Sequence, residues 1–203
     1  MLERKPKVVV FDIGGVLLGW KGGLVATSRL LNTTPEEILN TLQIYLEDLE
    51  LGKISEEDFW RYVTRDHKFE RSSHELAEAW IEGQPLIESG WDLLKSLKGH
   101  YRVVACTNNW LGVVENQIKN IPDFSHFEMI IDSSQEKVRK PDEKMFKIVE
   151  ERTGQPGEDV FLIDDSHSNC EAADRYGWQV FEFNPYINNG KDSCESIREL
   201  LLL

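Results

Sequence analysis

Three short apolar runs in this chain each end on groups that can do chemistry. Val8-Val9-Val10-Phe11 leads into Asp12, Val103-Val104-Ala105-Cys106 into Thr107-Asn108, and Val160-Phe161-Leu162-Ile163 into Asp164-Asp165. A fourth polar cluster, Arg139-Lys140-Pro141, directly precedes a segment of helical pattern. Brought together, these residues present carboxylates, a hydroxyl, an amide and a cation. Such a set joins clustered acids to a cation that could offset their charge or meet an anionic ligand. Singly, each has a plainer explanation. An acid after a buried strand is often a loop residue or a helix cap. Thr107-Asn108 could cap a helix starting near Trp110, Asp164-Asp165 one beginning near Ser168, and a lysine before proline is usually solvated. The recurrence of four such clusters argues for one site.

The elements that would position them follow from periodicity. Continuous β-branched runs of this length suit strands buried on both faces of a parallel sheet. Met129-Ile130-Ile131 and Val180-Phe181 are two further candidates. Helical spacing lies between them, in Trp91, Leu94 and Leu97 before Gly99, and in Leu111, Val114 and Ile118 before Pro122. It recurs in Met145, Ile148 and Val149 before Gly154, and in Ala172, Ala173 and Tyr176 before Gly177; glycine commonly closes a helix. The alternation predicts an α/β, doubly wound parallel-sheet (Rossmann-like) core, in which ligands bind beyond the carboxyl ends of the strands.

Residues 19–86 break this rhythm with three helix starts and no strong strand. Thr34-Pro35-Glu36-Glu37 reads as a capping box with proline at the first helical position, followed by Leu39, Leu42, Leu46 and Leu49 as far as Gly52. Ser55 opens a second helix with Phe59, Trp60 and Val63, and Ser72 to Glu75 forms another capping box ahead of Leu76 and Trp80. The expected organisation is a catalytic core of residues 1–18 and 87–203 carrying a small α-helical insert, 19–86.

Composition bounds the rest. A chain of 203 residues suffices for one well-buried domain plus an insert. Its net charge of −13 disfavours nucleic acid as a partner and obliges any anionic substrate to find a local cation. No run approaches the ~20 apolar residues of a membrane span. Val8–Phe11 is too short for a signal-peptide core and an acid follows it. The expectation is a cytoplasmic monomer or homodimer with neither a nucleic-acid nor a membrane partner. Cys106, Cys170 and Cys194 read as reduced, small apolar side chains, and His167 as a solvated loop histidine. Trp110, at the site rim, and Trp20, at the start of the insert, are the tryptophans expected near substrate.

Phe11-Asp12-Ile13-Gly14-Gly15-Val16-Leu17 resembles the first motif of the haloacid dehalogenase (HAD) superfamily. Thr107-Asn108 resembles the second, Lys140-Pro141 the third, and Ile163-Asp164-Asp165-Ser166 with Asn169 and Ala172-Ala173 the fourth. Order and spacing agree across the core, and the insert resembles the family's small helical cap. The resemblance implies Asp12 as nucleophile, forming an aspartyl-phosphate, and Mg²⁺ held by Asp12, the backbone carbonyl of Gly14, and Asp165 rather than Asp164. Asn169 stands where many relatives have a second metal acid. Thr107, Asn108 and the backbone N–H groups of Ile13 and Gly14 would hold phosphoryl oxygens, and Lys140 would neutralise charge. The implied partner is a small phosphorylated metabolite, in one version a sugar phosphate.

The sequence departs from the family pattern at Gly14, where most of these phosphatases carry a second aspartate as general acid and base. General acid–base catalysis contributes ~10²–10⁴-fold, so its loss predicts activity that falls steeply as the leaving group becomes more basic. Two alternatives follow. A haloacid dehalogenase also lacks the second acid, but it attacks carbon, needs no metal and gives Asp165 no task. The other is a catalytically weak binding protein on the same scaffold.

Overall fold

The computed structural model describes residues 4–66, 72–111 and 124–201. Among these residues, five strands form one parallel sheet: β1 (Val8–Phe11), β2 (Arg102–Thr107), β3 (Met129–Asp132), β4 (Val160–Asp164) and β5 (Gln179–Glu182), in the order β3-β2-β1-β4-β5. The apolar runs are continuous because both faces are covered. Val9, Phe11, Val103, Ala105, Phe161 and Ile163 face one side, where Leu94 and Leu97 of α5 (Glu88–Leu97) and Ile197 of α9 (Lys191–Leu201) pack. Val8, Val10, Val104, Cys106, Val160 and Leu162 face the other, against Met145, Phe146 and Val149 of α7 (Glu143–Thr153) and Ala173 of α8 (His167–Tyr176). Successive side chains alternate across a strand, so each run supplies both layers.

The chain runs outward from β1 through β2 to β3, then returns to the other side of β1 for β4 and β5. This reversal sets the carboxyl ends of β1, β2 and β4 side by side, with Phe11 in register with both Ala105 and Ile163. The position after the reversal is where open α/β sheets bind ligands.

Among the described residues, four helices stand between β1 and α5: α1 (Trp20–Leu31), α2 (Pro35–Glu50), α3 (Glu56–Asp66) and α4 (Ser73–Glu82). Both expected capping boxes are present, Thr34 with Glu37 and Ser72 with Glu75. The first helix was not expected. It lacks a side-chain cap, since Gly19 precedes it, and it contains Gly22 and Gly23, which lower helix propensity. Packing explains them: a Cβ on Gly22 would sit 2.1 Å from the Gly83 carbonyl oxygen, so α1 and α4 approach closely only with glycine there. The insert has its own apolar core, which includes Leu42, Leu49, Phe59, Trp60, Leu76 and Trp80. The amphipathic C-terminal helix α9 was also not expected. Val114 and Ile118 lie outside the described residues. No helix among those described is long and apolar enough to cross a membrane, and the three cysteines are free and buried.

Candidate active site

Asp12 follows β1 directly, its N–H donating to the Ile163 carbonyl at 2.9 Å. The side chain is nearly buried, and Oδ1 accepts from the Ile13 N–H at 2.8 Å. Lys140 is 1% exposed. Its Nζ lies 3.3 Å from Asp12 Oδ1 and donates to Asp164 Oδ2 and to the Cys106 carbonyl, each at 2.6 Å. Three elements thus fix one ammonium: the ends of β1, β2 and β4. Burial disfavours its charge, but Asp12 and Asp164 more than offset that and hold Lys140 protonated, above the usual lysine range.

Asn108 explains how the lysine is aimed. Its Nδ2 donates to the Lys140 carbonyl at 2.8 Å and its Oδ1 accepts from the Lys140 N–H at 2.9 Å. The amide expected to grip phosphoryl oxygens is therefore engaged with the main chain at Lys140, locking β2 to the loop after α6 (Ser133–Glu136). Likewise the Ile13 N–H, expected to face an anion, is taken by Asp12 itself. Thr107 is buried and borders the same cavity as Asp12.

Asp164 and Asp165 divide their work. Asp164 is fully buried and saturated with donors: Lys140, the Ser166 N–H at 2.9 Å, and Asn169 Nδ2 at 3.1 and 3.2 Å. Asn169 is thereby committed to Asp164. Asp165 is half-buried and reaches back across the first loop toward Gly15. A Cβ at Gly15 would fall 1.9 Å from Asp165 Oδ2, and the φ of +74° there also favours glycine. Carboxylate oxygens of Asp12, Asp164 and Asp165 can all lie within 4.8 Å of one another. Burial pushes the Asp12 carboxyl up to about 8, Asp164 and Asp165 adding to the rise and Lys140 opposing it. Burial, then Asp164, pushes Asp165 up to about 6. Three acids against one lysine leave an excess of negative charge.

Asp12, Thr107 and Asp165 open onto a cavity of about 350 Å³ whose other wall comes from the insert, including Trp20, Leu42 and Glu50. Gly14 lines it as well, and a Cβ there would meet only Trp20 Cδ1, at 3.9 Å. Trp110 is more than a rim residue. It is buried, stacked on Trp80 at 4.9 Å and edge-on to Phe59 at 5.3 Å, so it plugs the end of β2 into the core of the insert. His167 is exposed as expected, but it begins α8 rather than lying in a loop, with Nδ1 2.8 Å from Glu182 Oε2.

Glu50 carried no expected role. It is 8% exposed, and burial pushes its carboxyl up to about 7 against the pull of Arg139 and Lys140. The sequence does hold a signal: Glu50 follows Leu42 and Leu46 at intervals of four, an acid on the apolar stripe of α2.

The doubly wound sheet thus carries a buried carboxylate after β1, a buried lysine and paired acids at the end of β4. The chain belongs to the haloacid dehalogenase-like hydrolases, whose family model matches residues 6–177. No curated protein matches it in sequence. Among solved structures, it is similar to a HAD-like family hydrolase from Porphyromonas gingivalis, with 24% identity, 98% of each chain covered and a TM-score of 0.78. A HAD family enzyme from Bacteroides thetaiotaomicron, crystallised with magnesium and inorganic phosphate, gives 24% identity over 87% of this chain and 93% of that one, TM-score 0.74. The L-2-haloacid dehalogenase from Xanthobacter autotrophicus, solved with chloropropionic acid covalently bound, gives 20% identity over 86% and 76%, TM-score 0.66. At these identities the likenesses define the fold.

Proposed function

We propose that this hydrolase is a Mg²⁺-dependent phosphatase acting on a small phosphomonoester through an aspartyl-phosphate on Asp12. The observation that carries this reading is the cluster of Asp12, Asp164 and Asp165, with Lys140 bound to two of the three acids. A dehalogenase attacking carbon gives Asp165 no task. Here its carboxylate is pressed into a cradle that a Cβ at Gly15 would fill. The excess negative charge and the hard oxygen donors suit Mg²⁺, which Asp12, Asp165 and the Gly14 carbonyl would hold. When bound, the ion supplies positive charge against the phosphoryl oxygens and the nucleophile.

The protein's own groups do the rest. Asp12 attacks phosphorus, the bond to the leaving oxygen breaks, and water later cleaves the acyl phosphate. Lys140 offsets charge on Asp12 and on the transferred group. Asp164 and Asn108 hold Lys140 in place, and Asn169 holds Asp164. Thr107 Oγ1 and main-chain N–H groups of the first two loops contact phosphoryl oxygens. Residues 19–86 act as a cap over a core of 1–18 and 87–203, and the cavity volume lies in the range of small-molecule sites. The crystallised complex of the Bacteroides enzyme with magnesium and inorganic phosphate supports the same reading.

A panel of phosphomonoesters and 2-haloacids, with Mg²⁺ and with a chelator, tests it. Phosphate release that the chelator abolishes is expected. Halide release that persists in chelator would favour the dehalogenase, and no turnover of any compound would favour a binding protein.

A further inference from the structure

Gly14 leaves the leaving group without the usual proton donor, and the cavity wall holds another carboxylic acid. We propose that Glu50, from the last turn of α2, is the general acid and base of this enzyme. The assignment rests on the phosphatase reading and deepens it. Asp12 and Glu50 line one cavity, the first from the sheet and the second from the insert. Apart from Asp12 and Asp165, Glu50 is the only carboxylic acid lining that cavity among the described residues, and no histidine, cysteine, tyrosine or lysine accompanies it.

Its surroundings suit proton transfer. Oε2 lies 2.9 Å from Arg139 Nε, yet the Nε–H is directed at the Lys140 carbonyl, 3.3 Å away. Oε2 is thus ion-paired with Arg139 yet buried without an aligned hydrogen bond; the pairing favours the carboxylate, and burial works against it. The charged groups that bear on it are Arg139 and Lys140, and they oppose a rise that burial still wins, to about 7. Glu50 is thus protonated in a substantial fraction of molecules near neutrality, the condition for an effective acid.

The steps balance. As Asp12 forms its bond to phosphorus and the phosphorus–oxygen bond to the leaving group breaks, the departing oxygen takes the Glu50 proton. Glu50, now a carboxylate, accepts a proton from the water that attacks the aspartyl-phosphate. Inorganic phosphate and free Asp12 result, and Glu50 regains its proton.

Gly14 alone predicted a steep dependence on leaving-group basicity; Glu50 predicts a shallow one in the wild type. The test compares kcat/KM, which reports steps through leaving-group departure, for wild type and Glu50→Gln with Mg²⁺. The probes are p-nitrophenyl phosphate, whose leaving group needs no proton, and glycerol 2-phosphate, whose alkoxide does. Glu50→Gln is expected to lose ~10²–10⁴-fold on glycerol 2-phosphate and no more than ~10-fold on p-nitrophenyl phosphate. Equal losses on both, or none on either, overturn the Glu50 assignment while leaving the phosphatase reading intact. A wild type that hydrolyses neither ester overturns both. A series of substituted phenyl phosphates on the wild type alone gives a second test independent of the variant's folding: a shallow slope supports Glu50, and a steep slope refutes it.

Discussion

Replacing Lys140 by methionine probes the electrostatic centre of the site. The change keeps a long unbranched side chain and removes one charge. That charge sits 2.6 Å from Asp164 Oδ2 and 3.3 Å from Asp12 Oδ1, and it also donates to the Cys106 carbonyl. Lys140 and Asp164 are essentially inaccessible to water, and Asp12 nearly so. Breaking a buried pair from one side costs ~3–5 kcal/mol because the remaining charge is uncompensated. In a chain of this size each kcal/mol moves Tm by ~2–4 °C, so Lys140→Met should melt about 6–20 °C below the wild type at pH 8 in chelator. The loss should shrink as pH falls. Burial already holds the Asp12 carboxyl above the usual carboxylate range, and Lys140 opposes that rise; without the ammonium the rise grows, so the penalty is full at high pH and relieved as Asp12 protonates. Adding Asp164→Asn to Lys140→Met should recover part of the stability, which a double-mutant cycle measures. A Lys140→Met protein melting within 2 °C of wild type at pH 8, a shift worth under ~1 kcal/mol, would refute the claim that Lys140 neutralises this cluster.

Further outcomes are expected elsewhere. Gly15→Ala places a methyl 1.9 Å from Asp165 Oδ2 at a φ of +74°. It should cost ~1–3 kcal/mol in thermal melts and raise the Mg²⁺ concentration needed for half-maximal activity by ~10-fold or more, because it displaces the carboxylate proposed to hold the metal by a shift worth over ~1.4 kcal/mol. Glu50 has a folded-state pKa raised to about 7 from 4.5, so its contribution lowers stability as pH rises through that window, by on the order of 3 kcal/mol. Urea titrations should show that slope flattened in Glu50→Gln. Gly14→Asp in the Glu50→Gln background should restore turnover of glycerol 2-phosphate, because a Cβ at position 14 meets only Trp20, at 3.9 Å; no recovery would place the leaving group away from position 14. Trp110→Ala removes a ring stacked on Trp80 and should cost ~3–5 kcal/mol, read by chemical denaturation.

The strands and their chemical ends were legible because burial on both faces leaves an unbroken apolar signal that stops where the active-site loops begin. Asp12, Thr107 and Asp164 stand at those stops. The roles of their neighbours were not legible, since they depend on which donor meets which acceptor across the chain. Asn108 turned out to hold the main chain of Lys140, and Asn169 to serve Asp164 rather than stand as a free ligand. Helix α1 was hidden because its two glycines serve contact with α4 and Gly83 instead of helix propensity. Glu50 was hidden for a related reason. An acid on an apolar stripe signals a task only when its burial is known, and that burial comes from Arg139 and the insert folding over the sheet.

The most direct test of the account is to trap the covalent intermediate. Enzyme with Mg²⁺ and p-nitrophenyl phosphate is quenched in acid during turnover, digested with trypsin and analysed by tandem mass spectrometry. One phosphoryl group is expected on Asp12 in the peptide Val8–Lys21, with neither label nor turnover in Asp12→Asn. Turnover surviving in Asp12→Asn, or a phosphoryl group carried by another residue, would contradict the assignment of Asp12 as nucleophile.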